Sequence, residues 1–200
     1  SHVFEPPDLW TTRMESKFRQ RAPKIVRDED GDWWYCEGQR GQSMSQGAQF
    51  GLRFDNPEKL TLTDRFENVP KGGYIASEHI KDLDKDGVYA DVLYPTASLL
   101  FYMGVRDSQL LSSIFRTYND WVAEFCSEYP DRLKGIAMIN LDNVQEGIAE
   151  IERTRKMGLI GAMISVYPQE DKSYYMPEYE PLWAAAQDMD VPLSLHVATG

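Results

Sequence analysis

The chain has 200 residues, of which 42% are hydrophobic and 26% are charged, and its formal net charge is -11. This composition is ordinary for a globular protein of a size that buries one substantial core. The acidic balance argues against nucleic acid and anionic membrane surfaces as partners, because both bind clustered Lys and Arg side chains.

The spacing of the cysteines and the lack of long apolar stretches bear on the cellular compartment of the protein. Cys36 and Cys126 lie far apart without paired spacing, so neither a disulfide framework nor a zinc knuckle is indicated. No stretch approaches the roughly 18 consecutive apolar residues of a membrane helix, and the amino terminus has no signal-peptide pattern. We therefore predict a cytoplasmic protein in a reducing compartment.

The amino-terminal third of the sequence shows no regular alternation of strand and helix patterns. After a short strand at residues 1–3, the sequence predicts a helix from Asp8 and then a hairpin with its turn at Asp28 to Gly31. A long irregular segment in a compact domain is usually functional or disordered, and the aromatic residues here favour a packed structure. We predict that residues 4–73 form a long insertion, or lid, after strand one.

From residue 74 onward, short β-branched runs alternate with segments of helical periodicity. A helix that ends at Gly87 is expected to carry His79 on its surface, a long helix is expected to begin at the N-cap Asp107, and another is expected to end before Gly158. The strands between the helices are predicted at residues 88–94, 133–140, 159–166 and 191–197.

Strands separated by helices pair in parallel through right-handed crossovers, which leaves a closed barrel or an open doubly wound sheet. The open sheet normally has a glycine-rich phosphate turn after a strand, and this sequence contains none. We therefore predict an α/β fold of the (β/α)8 TIM-barrel class, with residues 1–200 forming one incomplete domain.

His196 ends the last predicted strand, VPLSLHV. Alternation along the strand places Pro192, Ser194 and His196 toward the barrel axis, and Leu193 and Leu195 toward the helices. The carboxyl ends of barrel strands carry active sites, although a lone inward histidine is more often a core residue. His2 ends the first predicted strand, so the two imidazoles could share a metal; a frayed terminal histidine is the alternative.

Five segments occur in an order that resembles the amidohydrolase-related metal enzymes, a family that includes decarboxylases of aminocarboxymuconate semialdehyde and γ-resorcylate. They are SHVFEPPDLW, DVLYPT, YNDWVAEFCSEYPDRLKGIAMINLDN, GIAEIERTRKMGLIGAMISVYP and YMPEYEPLWAAAQDMDVPLSLHVATG. The resemblance implies a metal-dependent-hydrolase-type (β/α)8 barrel, of which this chain covers about the first five strands. It also implies one divalent metal, Zn or Mn, with His2 and His196 as ligands.

The same resemblance implies that the remaining ligands and the catalytic histidine lie before Ser1 and after Gly200, so the chain is expected to be a segment of a longer protein. Substrate contacts are expected from residues at strand ends and in the loop after strand one: Arg13, Tyr94, Asn140 and Tyr167. Aromatic residues of the amino-terminal segment are expected to close over the substrate ring: Trp10, Trp33 and Trp34.

The function that follows is a metal-dependent nonoxidative decarboxylase of a small carboxylated compound, aromatic or unsaturated. Two alternatives stay open from the sequence. One is a metal-dependent hydrolase of an amide or lactone, which would use the same ligands. The other is a noncatalytic barrel that binds a small molecule. A homodimer is also expected.

Overall fold

The structure is a computed structural model that describes residues 1–49, 52–166, 168 and 172–196. Its described part contains two sheets. The first is antiparallel, in the order β1-β2-β3, and consists of β1 (Lys24–Arg27), β2 (Asp32–Cys36) and β3 (Gln39–Ser43). The second is parallel, in the order β4-β5-β6-β7, and consists of β4 (Asp91–Leu93), β5 (Leu133–Met138), β6 (Gly161–Ser165) and β7 (Leu193–His196).

The α-helices, in chain order, are α1 (Leu9–Arg13), α2 (Ser45–Ala48), α3 (Leu52–Asp55), α4 (Ala76–Asp86), α5 (Ala97–Gly104), α6 (Ser108–Ser127), α7 (Val144–Lys156) and α8 (Glu180–Asp188). Single 3-10 turns lie at Arg19–Arg21, Pro57–Lys59, Phe66–Asn68, Lys71–Gly73 and Pro177–Tyr179. None of these helices combines the length and the apolar character needed to cross a bilayer, within the residues that the structure describes.

The helix ends follow the capping residues in the sequence. The Asp107 side chain accepts hydrogen bonds from the first turn of α6, as the N-cap prediction requires. Gly87 and Gly158 follow α4 and α7 with φ values of 70° and 95°, a left-handed conformation that favours glycine. The predicted helix boundaries at these three positions are confirmed.

The parallel sheet keeps the order of the chain. His2 forms a single parallel β-bridge to Tyr94, and β4, β5, β6 and β7 follow side by side. This consecutive order is the one expected of the first strands of a barrel, whereas a doubly wound sheet reverses direction at a switch point. The barrel prediction is confirmed, although the first strand is reduced to one bridge and the others are shorter than predicted.

Helix α6 packs along β5 and supplies much of the core. Its apolar residues at helical spacing are buried, as predicted: Leu110, Leu111, Ile114, Phe115, Tyr118, Trp121, Val122 and Phe125. Gly135 of β5 permits this approach, because a Cβ atom there would lie 2.8 Å from Leu159 and 3.1 Å from Cys126. Layers of helix on parallel sheet therefore hold the carboxyl ends of the strands in place.

The amino-terminal aromatic residues belong to the core. Trp10 and Trp34 are 0% and 2% exposed, and their rings meet edge to face at 5.2 Å. The Trp10 Nε1–H donates to the Ile114 carbonyl of α6, while Trp33 lies under Arg40. The expectation that these tryptophans close over a substrate is wrong for Trp10 and Trp34, because both anchor the amino-terminal segment. A lid role for residues 4–73 stays a prediction.

His79 is buried, and the expectation of a surface histidine on α4 is wrong. Its ring contacts the Gly72 carbonyl through Nδ1 at 2.8 Å and the Asp91 carboxylate through Nε2 at 3.3 Å. Burial lowers the pKa of His79, but the bonds to Asp91 and Gly72 and the nearby Asp82 raise it more, so the net pKa lies above 6.5. The His79 ring links α4 to β4 through its contact with Asp91.

The stability of His79→Gln is expected to depend on pH relative to the unchanged protein. Because the folded-state pKa of His79 is raised, its stabilising effect is fully present below about pH 6.5 and is lost as pH rises through the folded-state pKa. The difference in unfolding free energy between the two proteins should be larger at pH 6 than at pH 8.5, measured by urea denaturation. The matched control Leu83→Ala, also on α4, should lower stability equally at both pH values.

Candidate metal centre

Three rings meet at the carboxyl end of the parallel sheet. The centroids of the His2 and His196 imidazoles lie 5.1 Å apart, edge to face, and the Tyr94 ring lies 6.0 Å from His2 and 5.7 Å from His196. His2 comes from the first segment, Tyr94 follows β4 and His196 ends β7. The fold therefore brings together two residues separated by nearly the whole chain, as expected from their places at strand ends.

The orientation of the His2 ring is fixed by one hydrogen bond. Its Nδ1 lies 2.7 Å from the Pro95 carbonyl oxygen, which can only accept, so Nδ1 carries the proton and Nε2 keeps its lone pair in the neutral ring. Burial lowers the pKa of His2; the bond to Pro95 opposes this, and the neighbouring His196 adds to it. The neutral imidazole, which is the metal-binding form, is thereby favoured.

The last strand presents its predicted inward face to this cluster. The Tyr94 hydroxyl and the Ser194 Oγ are hydrogen-bonded at 2.9 Å, and His196 lies two residues further along the same face. Leu195 points the other way and is 61% exposed, so its expected packing against helices is not found among the described residues. Ser194 fixes the Tyr94 ring beside the two imidazoles.

The two histidines fit a shared divalent metal. Imidazole nitrogens bound at about 2.1 Å to one ion put their ring centroids roughly 5 Å apart at near-tetrahedral angles, which agrees with the observed separation. Within residues 1–49, 52–166, 168 and 172–196, no group of three or more His, Cys, Asp or Glu side chains could hold a metal. The described residues therefore offer two imidazoles as candidate ligands, which is fewer than a complete metal site requires.

Two other candidates lie apart from the ring cluster. The Asn140 amide donates to Ser108 and Ser112 at the start of α6, at 3.0 to 3.1 Å, so it closes the loop after β5. The Arg13 guanidinium pairs with Glu124 on α6 at 2.5 Å. Their roles in substrate binding stay predictions that this conformation does not favour. Tyr167 lies outside the described residues.

Sequence reasoning missed Glu5, which lies three residues after His2 and is fully buried. Its carboxylate accepts hydrogen bonds from Ala97 and Ser98, the first residues of α5. Burial raises the pKa of Glu5, and the bonds from Ser98 and Ala97 oppose that rise. The signal in the sequence was a carboxylate among apolar residues, which is rarely buried without a specific partner.

A family model described as Amidohydrolase matches residues 71–200 of the chain. The chain belongs to the amidohydrolase family. The match includes β4 to β7 and His196, and it confirms the family that the sequence segments indicate. The fold is similar to that of an amidohydrolase crystal structure from Mycobacterium avium subsp. paratuberculosis, with a TM-score of 0.79 at 16% sequence identity. The matched region is 98% of this chain and 56% of the chain in that structure.

Decarboxylases are found among the relatives of this amidohydrolase chain. A γ-resorcylate decarboxylase from a Polaromonas species is 27% identical over 128 residues, which is 61% of this chain and 39% of the relative. A dihydroxybenzoic acid decarboxylase from Polaromonas, solved with manganese and the inhibitor 2-nitroresorcinol, is 25% identical with a TM-score of 0.55 and covers 78% of this chain and 46% of its own. The chain thus spans less than half the length of these two relatives.

Proposed function

We propose that the whole protein is a divalent-metal-dependent nonoxidative decarboxylase of a small aromatic carboxylate. The observation that carries the proposal is the pair of imidazoles, His2 and His196, on the strand-end face of an amidohydrolase barrel. The similarity to γ-resorcylate and dihydroxybenzoic acid decarboxylases supports the reaction and the class of substrate. Manganese in the latter structure supports Mn as the metal, with Zn as the other candidate.

In this proposal His2 and His196 are metal ligands and Tyr94 lines the substrate pocket. When bound, a divalent ion supplies electrostatic stabilisation for negative charge that develops on substrate oxygens during loss of carbon dioxide. The Pro95 carbonyl orients His2, and Ser194 orients Tyr94. The tyrosine ring beside both imidazoles offers an apolar face on which a planar aromatic substrate can stack.

Product analysis on the full-length, manganese-loaded protein tests the proposed reaction. Hydroxylated benzoates would be supplied one at a time, and released carbon dioxide and the decarboxylated ring would be quantified together. Equimolar amounts of both are expected from at least one substrate. A parallel set of amides and lactones in ¹⁸O-labelled water provides the contrast. Label in the products without release of carbon dioxide would overturn decarboxylation in favour of hydrolysis.

Tyr94→Phe is expected to keep the metal and weaken substrate turnover. The change removes only the hydroxyl that is hydrogen-bonded to Ser194, which is worth about 1 kcal/mol and corresponds to a loss of roughly fivefold in kcat/KM. Steady-state kinetics and metal analysis of the same preparation measure both quantities. Tyr89→Phe, at an exposed tyrosine before β4, is the control and should leave both unchanged; unaltered kcat/KM in Tyr94→Phe would contradict a role for its hydroxyl.

A further inference from the structure

Glu5 is a buried ionisable side chain that the proposed metal centre does not use. Its two carboxylate oxygens accept from the backbone N–H groups of Ala97 and Ser98, each at 2.9 Å, and from the Ser98 hydroxyl at 2.8 Å. These donors form the first turn of α5, where the helix dipole favours a negative charge. Glu5 therefore ties the segment that follows His2 to the start of this helix.

The same two stretches of chain, residues 1–5 and 94–98, are also joined closer to His2. The Thr96 hydroxyl donates to the Val3 carbonyl at 2.7 Å, and His2 donates to the Pro95 carbonyl at 2.7 Å. We call these two stretches the paired segments. The Pro95 carbonyl, which orients the His2 ring, therefore lies between Tyr94, which forms the β-bridge to His2, and the first turn of α5.

We infer that Glu5 is a positioning residue for His2. By holding the first turn of α5, its carboxylate fixes the direction of the Pro95 carbonyl and hence the tautomer and angle of the His2 imidazole. The inference rests on the proposed function insofar as His2 serves as a metal ligand. A hydrogen-bond acceptor such as the Pro95 carbonyl keeps a metal-binding histidine in one orientation only if the acceptor is itself held in place by neighbouring contacts.

The contacts give Glu5 a more specific effect than general stabilisation. Apart from the backbone N–H of Glu5 itself, only Ala97 and Ser98 donate to its carboxylate in the described hydrogen bonds, and both lie in the stretch that follows Pro95. Glu5→Gln keeps the size of the side chain but turns an amide NH2 toward one of these N–H donors. The first turn of α5 then loses a hydrogen-bond acceptor, and the Pro95 carbonyl becomes free to rotate away from His2.

The test is nitrogen-15 NMR of the histidine side chains in the full-length protein, without metal, combined with the dissociation constant for Mn²⁺. In the unchanged protein, His2 should show one tautomer, protonated on Nδ1. In Glu5→Gln, the two tautomers should be mixed and the Mn²⁺ dissociation constant should rise about 10- to 100-fold. A single Nδ1 tautomer with unchanged Mn²⁺ affinity in Glu5→Gln would overturn the inference.

Two control variants separate positioning from loss of stability. Ser98→Ala removes the hydroxyl bond but keeps both backbone donors, so its His2 spectrum should match the unchanged protein. Ile151→Ala truncates a fully buried residue on α7 and should lower stability without mixing the tautomers. Mixing in Ile151→Ala as well would reduce Glu5 to a structural role. If the unchanged protein binds no Mn²⁺, the proposed function fails, while the metal-free spectra still decide the role of Glu5.

Discussion

His196→Ala is expected to remove the metal from the full-length protein and to abolish its decarboxylase activity. Without the His196 imidazole, the metal loses one of its proposed ligands and dissociates. A bound metal contributes several kcal/mol of electrostatic stabilisation to the transition state, so kcat/KM should fall by roughly a thousandfold or more. Elemental analysis of protein purified without chelator should fall from about one Zn or Mn per chain to well below one. His2→Ala should behave in the same way.

His79→Gln is the matched control, because it removes an imidazole that is hydrogen-bonded to Gly72 and Asp91 and lies outside the ring cluster. Its metal content should equal that of the unchanged protein. Full metal occupancy in His196→Ala, with unchanged affinity, would show that the two imidazoles only pack against each other. The proposal of a metal centre at this position would then be withdrawn.

Asn119→Ala is expected to produce the largest loss of stability. Asn119 of α6 is fully buried, and its side chain serves both backbone groups of Met138: Oδ1 accepts from the N–H at 2.7 Å and Nδ2 donates to the carbonyl at 3.0 Å. Alanine leaves two buried backbone groups without partners, and each costs about 1–3 kcal/mol. A decrease of about 3 kcal/mol or more in unfolding free energy is expected from urea denaturation.

Asn143→Ala is the control for Asn119→Ala, because it also removes an asparagine side chain that accepts hydrogen bonds from backbone N–H groups, but at an exposed position. Asn143 is the N-cap of α7 and accepts from Gln145 at 3.0 Å and Glu146 at 3.3 Å at an exposed position. Its replacement should cost about 1 kcal/mol. Equal losses for the two asparagines would contradict the argument, because the effect would then not depend on burial of the unsatisfied groups.

The parts of the fold that the sequence predicts correctly depend on local signals. The apolar stripe of α6, the Asp107 cap and the glycines after α4 and α7 each act within one or two turns, so a short window contains the information. Helix α5 was missed because its apolar residues show no distinct stripe between the Pro95 turn and Asp107. Strand β3 was missed because its sequence, QRGQS, lacks β-branched residues.

The errors at single residues have a different physical origin. His79 lies on a polar helix, and its burial depends on Gly72 and Asp91, which helical periodicity does not include. Trp10 and Trp34 are as suited to a core as to a binding face, and only packing against α6 and α5 distinguishes these roles. The positions of His2 and His196 at strand ends, in contrast, correctly predicted that their rings lie close together, because parallel strands align their ends.

The contacts between the paired segments form late during folding of the protein. His2 is synthesised well before its hydrogen-bond partner, because its bond to Pro95 spans 93 positions of the sequence. Contacts of such separation are gained late, after the entropy of closing a long loop has been overcome by other contacts. On the ribosome, the first imidazole therefore stays without its final orientation until the chain through residue 98 has emerged, and the site is completed among the last events of folding.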